Sequence, residues 1–339
     1  MKKIFLLILI GTLSIGCSTQ KVFTKTDYDK ALPKYIQTIK PDDLKTQLYV
    51  VASEEFEGRA TGEEGQKKAA AYIRDFYKKN GISSPVSEHV KDHFQHIPAG
   101  TFPRIRKDTE NVMAFIEGSE KPDEILIISA HYDHEGIKNG QIYFGADDDG
   151  SGTVAVMEIA KAFKKAEKDG YRPKRSILFL HVTGEEIGLL GSRFYTDKQP
   201  VFPLENTIAD LNTDMIGRVD EAHKDNPNYV YLIGSDMLST DLHNLSEEVN
   251  KKYIGLDLDY KFNDVNDPNQ FYYRSDHYNF AKNNIPVIFY FNGVHKDYHK
   301  PTDTPDKINY DMLAKRAQLI FATAWELANG ENRPVVDKK

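Results

Sequence analysis

The chain has 339 residues, of which 40% are hydrophobic and 28% charged, and its formal net charge is −7. That length accommodates one large α/β domain or two small ones, and the acidic balance excludes a surface built for nucleic acid. Cys17 is the only cysteine, so no internal disulfide can form and the core must be stable without one.

The N-terminus reads as an export signal. Met1-Lys2-Lys3 is a positive start, and Ile4 to Ile10 is an apolar run too short to span a bilayer. Gly16 then precedes Cys17, a pattern that resembles a bacterial lipoprotein signal. On that reading residues 1–16 are removed and Cys17 is acylated. The mature protein is then exported and anchored to a membrane, facing the periplasm or the cell surface. The plainer reading is a secretory signal with Cys17 incidental. Residues 17–40 read as a tether and lead-in helix, and 41–335 as one domain without an internal repeat.

Pro41-Asp42-Asp43 opens a short helix over Leu44–Ala52 with acids in its first turn. Ser53 to Gly62 is a polar loop containing Arg59. Ala69, Tyr72, Ile73, Phe76 and Tyr77 recur at helical spacing between Gly65 and Lys79, and Asn80-Gly81 ends that helix. Residues 83–107 carry Pro85, Pro98 and Pro103 and read as an irregular or hairpin segment. Strands follow at 111–116 and 125–129, then a helix over 151–167 ending at Gly170. Ser176 to Val182 is a continuous apolar strand, the type buried on both faces of a parallel sheet. Further strands fall at 208–214, 229–233 and 286–291. Leu242, Leu245 and Val249 mark one helix, and Met312 to Leu327 the last. The polar stretch 253–275 reads as loops near a site. Strands alternating with helices predict a single α/β domain, doubly wound, with a mostly parallel mixed sheet and helices on both faces.

Ligands of an open α/β sheet gather at the carboxyl ends of its strands. Strand 125–129 runs into SAHYDHEG, with His131 and Asp133, and then into GADDDGSG, with Asp147, Asp148 and Asp149. Crowded carboxylates repel unless a cation or solvent relieves them; an ordinary acidic turn has the same composition. Strand 176–182 ends in Gly184-Glu185-Glu186. Adjacent glutamates point in different directions, so one can ligate a metal while the other handles a proton, although a helix N-terminus also favours acids. Asp214 follows strand 208–214 in the same manner. Asp276 precedes a helix and reads as its cap. Tyr298-His299 and Asp303 follow strand 286–291, a histidine with a carboxylate nearby. His181 lies within a strand and reads as a satisfied core residue, whereas His134, His223 and His295 have no partner in the pattern.

Together these stretches resemble the di-zinc aminopeptidase family of secreted bacterial leucyl aminopeptidases, which also includes glutamate carboxypeptidase II and the glutaminyl cyclases. The resemblance runs from about Leu44 to Asn329 and includes EGRATGEEGQKKAAAYI, HYD, GADDDGSG, GEEIGLLGS, NTDMIGR and YHKPTDT in order. It implies that His131 and Asp214 bind one zinc, Glu186 and His299 the other, and that Asp148 bridges them. It further implies Glu185 as general base, Asp133 and Asp303 as the residues orienting His131 and His299, and Tyr298 near the scissile carbonyl. Asp147 and Asp149 depart from the pattern, where Asn is frequent, and add negative charge. Two Zn²⁺ suit such N/O donors, as do Mn²⁺ or Co²⁺. The implied activity is an exopeptidase taking N-terminal residues from peptides. The alternatives are a glutaminyl-cyclase-like acyltransferase and a non-catalytic peptide-binding lipoprotein; an intact Glu185 speaks against the last. The expected partners are peptides and, through Cys17, a membrane.

Overall fold

A computed structural model describes residues 23–338. The expected leader and Cys17 lie outside the described residues. Among the described residues no helix is long and apolar enough to cross a membrane.

The chain opens with α1 (Lys25–Ile36), capped by Thr24, and α2 (Pro41–Val51), whose first turn carries Asp42 and Asp43. Helix α3 (Glu64–Asn80) buries Ala69, Ile73, Phe76 and Tyr77 and stops at Gly81, which takes the left-handed conformation (φ 72°) that a residue with a Cβ resists. Strands β1 (Phe94–Ile97), β2 (Thr109–Ile116) and β3 (Lys121–His131) follow, then a small hairpin, β4 (Gly136–Lys138) and β5 (Gln141–Tyr143). Helix α4 (Gly152–Lys168) leads to β6 (Arg175–Val182), α5 (Leu190–Asp197) and β7 (Thr207–Thr213). The remainder is β8 (Tyr229–Ile233), α6 (Thr240–Val249), β9 (Asp257–Asp259), α7 (His277–Ala281), β10 (Val287–Phe291) and α8 (Tyr310–Asn329).

Eight strands form one mixed sheet in the order β1-β2-β6-β3-β7-β10-β8-β9. The central four, β6, β3, β7 and β10, are parallel; β2 and β8 flank them antiparallel. From β3 the chain crosses to β6 on one side and then returns to β7 on the other. The gap between β3 and β7 is therefore the switch point at which such sheets place ligands. Alternation along β3 divides the core: Leu126, Ile128 and Ala130 face the layer that holds α4 and α8, while Ile125 and Ile127 face α5 and α7. All eight residues of β6 are buried, as its continuous apolar run predicts.

The packed domain begins earlier than residue 41. Helix α1 buries Leu32 and Tyr35 completely, and the Tyr35 ring stacks on Trp325 of α8 at 5.5 Å. The lead-in helix expected in this segment is present and closes one end of the core. Its apolar stripe is diluted by lysines and aspartates and interrupted by Pro33, which hides its packing role in sequence.

His181, near the end of β6, is a fully buried core residue whose Nε2 is partnered and whose Nδ1 makes no hydrogen bond. The Tyr77 hydroxyl donates to its Nε2 at 2.5 Å, and burial lowers its pKa to about 3. The folded state therefore refuses a proton that the unfolded chain accepts near pH 6.5, and stability must fall as pH drops below that value. His181→Leu removes this linkage: urea titrations of the variant should lose less stability between about pH 6.5 and pH 4 than the wild type. An identical slope would exclude His181 as its source.

Candidate metal centre

Each predicted ligand leaves the carboxyl end of a central strand or the loop that follows it. His131 ends β3, Glu185 and Glu186 follow β6, Asp214 follows β7, and Tyr298 and His299 follow β10. Asp148 lies in the turn before α4, and its peptide bond to Asp149 is cis. These residues converge. Asp148 Oδ1 is 3.2 Å from His131 Nε2, and Asp214 Oδ1 is 3.7 Å from the same nitrogen. On the other side His299 Nε2 is 3.0 Å from Asp148 Oδ2 and 3.2 Å from Glu186 Oε2. Two donors of one tetrahedral ion with bonds near 2.0 Å stand about 3.3 Å apart, so both groups fit that spacing. Buried atoms His131 Nε2, Asp148 Oδ2 and Glu186 Oε1 make no hydrogen bond. Polar atoms that crowd without bonding one another are what a cation site requires. His131, Asp148 and Asp214 form one group able to hold a metal, and further groups share Glu186.

The electrostatics agree. Burial alone would raise the Asp148 carboxyl, but the adjacent His131 and His299 imidazoles reverse this and hold it well below the usual range. Burial and Asp148 push Glu186 upward, yet His134 and His299 outweigh them and set it at about 2. His299 rises to about 10: burial opposes the change, and Asp148 and Glu186 drive it. Glu185 behaves differently. Burial, with Glu186, Asp214 and Asp276 adding repulsion, lifts it well above the usual carboxylate range against the pull of His131. One carboxyl that stays charged beside another that resists charging is a common arrangement for acid–base work.

The two residues expected to orient the histidines stand differently. Asp303 does not touch His299. The turn after His299 folds Asp303 back under the Asp148 loop, where its Oδ2 accepts from the main-chain N–H of Asp147 (2.9 Å) and Asp148 (3.2 Å). Asp133 orients His131 through its main-chain oxygen, 3.1 Å from Nδ1, while its carboxylate oxygen lies 3.8 Å away. That carboxylate instead accepts from Thr61 Oγ1 and the Glu185 N–H. Asp276 stands at the start of α7 but makes no cap bond; it accepts from Ser192 Oγ, and burial raises it to about 7.

The extra acids point away from the centre. Asp147 accepts from the Gly217 N–H at 2.7 Å and meets His295 Nε2 at 3.1 Å. Asp149 accepts from the N–H groups of Gly152 and Met215. His295 thus has a partner invisible in sequence, as does His223, whose Nδ1 is 2.8 Å from Asp220. His134 lies inside the site, with Nδ1 2.7 Å from Glu186 Oε1.

Arg59 was legible only as part of a polar loop. It is fully buried and donates to four carbonyl oxygens, those of Val51, Tyr132, Phe144 and Gly145, at 2.8–2.9 Å. It thereby ties the end of β3 to the turn carrying Asp148, and its charge faces Asp148, Asp149, Asp133 and Asp303. Beside the centre a cavity opens, with Asp148, Glu185, Asp214 and Tyr298 on one side and Met215, Phe271, Phe289 and Phe291 on the other. Of the stretch expected as loops near the site, Phe271 and Arg274 reach this cavity, whereas Asp257–Asp259 forms the edge strand β9.

A doubly wound sheet with paired histidine–carboxylate groups at its switch point defines an α/β protein with a candidate metal centre. The chain belongs to peptidase family M28, whose model matches residues 111–324. It is 25% identical over 309 residues to leupeptin-inactivating enzyme 1 of Streptomyces exfoliatus, covering 85% of this chain and 61% of that protein. It is 27% identical over 247 residues to aminopeptidase YwaD of Bacillus subtilis, covering 70% and 49%. A solved structure of a zinc aminopeptidase from Bacillus subtilis superposes with a TM-score of 0.66 at 16% identity, covering 88% of this chain and 98% of that one. The chain spans less than two thirds of the length of these two curated relatives.

Arg59→Met would strip four carbonyls of their donor and remove a buried cation that faces Asp148, Asp149, Asp133 and Asp303. The metal-free variant should lose about 3–5 kcal/mol, the usual cost of removing one side of a buried charge cluster. Urea unfolding in the presence of a chelator measures it; a loss below about 1 kcal/mol would deny Arg59 this role.

Proposed function

We propose that the protein is a metallo-aminopeptidase that hydrolyses N-terminal residues from peptides. One observation carries the reading. A single buried carboxylate, Asp148, presents one oxygen to His131 and the other to His299 at 3.2 and 3.0 Å, with Glu185 beside them. His131, Asp214 and Asp148 would hold one ion; Glu186, His299 and Asp148 the second. One to two nitrogens and several carboxylate oxygens suit Zn²⁺, and also Mn²⁺ or Co²⁺. Such ions supply Lewis acidity, polarising a carbonyl and making water nucleophilic at neutral pH.

The chain's own groups do the rest. Glu185 takes a proton from the attacking water as the water oxygen bonds to the carbonyl carbon. It then returns that proton to the nitrogen as the C–N bond breaks, so that amine and carboxylic acid leave. Its raised affinity for protons, set by burial, matches this double duty. Tyr298 lines the same cavity, and burial with the nearby carboxylates keeps its hydroxyl protonated and able to donate to the carbonyl oxygen. The carboxylates suit a free α-ammonium group, and the wall of Met215, Phe271, Phe289 and Phe291 suits an apolar first side chain.

Elemental analysis should find two transition-metal ions per chain, and Asp148→Asn should lower both together. Glu185→Gln should keep the ions and the peptide affinity while kcat falls about 10²- to 10⁴-fold, the usual contribution of a positioned base. Nearly wild-type turnover by a two-metal Glu185→Gln protein would rule out the assignment. Release of free N-terminal amino acids is expected; ammonia released from N-terminal glutamine would instead identify a cyclase.

Export and anchoring belong to the same proposal. The leader and Gly16-Cys17 support an acylated N-terminus on a membrane. Cys17→Ser should move the protein from the membrane to the soluble fraction with unchanged specific activity. A wild type recovered soluble, with an unmodified N-terminus, would refute anchoring.

A further inference from the structure

We propose that the lysine-lined groove at the far end of α4 is a membrane-facing surface, which rests on anionic phospholipid headgroups and points the catalytic mouth away from the bilayer. The inference rests on the anchoring reading above and deepens it by naming the face of the domain that the tether brings to the membrane.

The place where the chain enters the fold is the first observation. Phe23 stacks on Tyr171 at 4.3 Å and lies against Gly170, where an added Cβ would fall 3.2 Å from its ring. Gly170 and Tyr171 follow α4 and precede β6. Phe23 is therefore held at the amino ends of the parallel strands β3 and β6, whose first residues Lys121 and Arg175 are in register. The metal centre lies at the carboxyl ends. Helix α4 measures the separation: it starts at Gly152, bonded to Asp149, and its 17 residues rise about 25 Å to Lys168. Cys17 is six residues from Phe23, a reach of at most about 20 Å. An acyl group on Cys17 thus keeps this end of the domain close to the headgroups.

Charge is the second observation. Lys161, Lys164, Lys165 and Lys168 recur at helical spacing on the outer face of α4, opposite the buried Phe163 and Ala166. They line one groove together with Asn80 and Asp169. Two of the four are neutralised, Lys161 by Glu158 and Asp43, and Lys164 by Glu167. The rest of the surface is not. Lys165 and Lys34 share the single carboxylate of Asp169, at 3.8 and 2.7 Å. Lys168 is exposed and donates only to the Asn80 carbonyl, at 3.4 Å. Lys79 is exposed in the adjoining groove, which shares Asn80 and Lys161. Among the described residues neither Lys168 nor Lys79 has an ion pair. Four ammonium groups therefore face one carboxylate, in a chain whose net charge is −7. Such a local excess attracts polyanions, and a bilayer containing anionic lipid presents one where the tether ends. A basic patch is a usual second signal beside a lipid anchor.

The test uses the Cys17→Ser protein, which has no acyl group to mask the contact, and phosphatidylcholine vesicles with and without phosphatidylglycerol. At low ionic strength the protein should sediment with the anionic vesicles and not with the neutral ones. Physiological salt should release it, because screening shortens the range of exposed charges to about 8 Å. A lysine near an anionic surface adds about fivefold in affinity. Lys79→Gln, Lys165→Gln and Lys168→Gln together should thus weaken binding about 10- to 100-fold, with peptidase activity and metal content unchanged. Arginine at the same three positions should preserve binding.

Orientation is read on the acylated protein bound to anionic vesicles. A fluorophore on Ser119→Cys, in the turn before β3, should be quenched by a headgroup-labelled lipid more strongly than one on Val294→Cys at the cavity mouth. The triple glutamine variant should narrow that difference. No preference for anionic vesicles, a triple glutamine variant that binds them like its parent, or a Val294 label quenched as strongly as the Ser119 label would each overturn the proposal. The second of these results would leave the groove to an acidic protein partner. An unmodified Cys17 in the wild type would overturn anchoring alone, since the vesicle binding that decides the lysine face is measured without the acyl group.

Discussion

Asp148 is a carboxylate buried to 3% exposure with a histidine at each oxygen, and the surrounding structure is arranged to keep it there. A carboxylate in that environment is costly unless opposite charge meets it. Strand register brings the opposite charge from two directions: β3 delivers His131 and the segment after β10 delivers His299, with β7 between them. The turn that presents Asp148 is clamped from both ends. Arg59 holds the carbonyls of Phe144 and Gly145, and Asp303 holds the N–H groups of Asp147 and Asp148. Neither clamp is near Asp148 in sequence, so the loop's shape is a tertiary product.

The same arrangement explains how so many acids coexist in one place. Asp147, Asp149 and Asp303 each spend one oxygen on main-chain N–H groups, which directs that part of their charge away from the centre. Burial raises Asp149 well above the usual range and Asp303 to about 6, so neither contributes a full negative charge readily. The surplus acids that seemed to crowd the centre in the DDD sequence act mainly as braces for its backbone.

This distinction marks what sequence could and could not provide. Apolar runs and glycine punctuation placed the central strands, and carboxylates immediately beyond those runs placed His131, Asp148, Glu186, Asp214 and His299 at one end of the sheet. Such residues are legible because the constraint is local: a strand end fixes where its next few residues go. Partner choices are not local. Asp303 lies four residues from His299 and was paired with it on proximity, yet a tight turn carries it to another loop. Arg59 is 89 residues from Asp148, and His134 sits beside Glu186 only because β3 and β6 are neighbours in register. Helix α1 escaped as part of the domain for the same reason, since its stripe gains meaning only against Trp325.

The two halves of the centre are not held alike. His131 is 1% exposed at the end of a strand buried from Ile125 onward, where hydrogen-bonded register and the Asp133 carbonyl fix it. His299 is 36% exposed and sits at φ 53°, a left-handed conformation that costs a non-glycine residue and persists only when its surroundings impose it. Those surroundings are identifiable. Tyr298 stacks on the His299 ring at 3.9 Å, and Asp297 is bonded to Arg218 at 2.9 Å and Lys307 at 2.8 Å. Side-chain contacts thus do for the second half what the sheet does for the first. Tyr298 serves both purposes, because the ring that steadies His299 also lines the cavity beside Glu185. The second half is therefore tied to the cavity through Tyr298, whereas the first half meets it directly through Asp214.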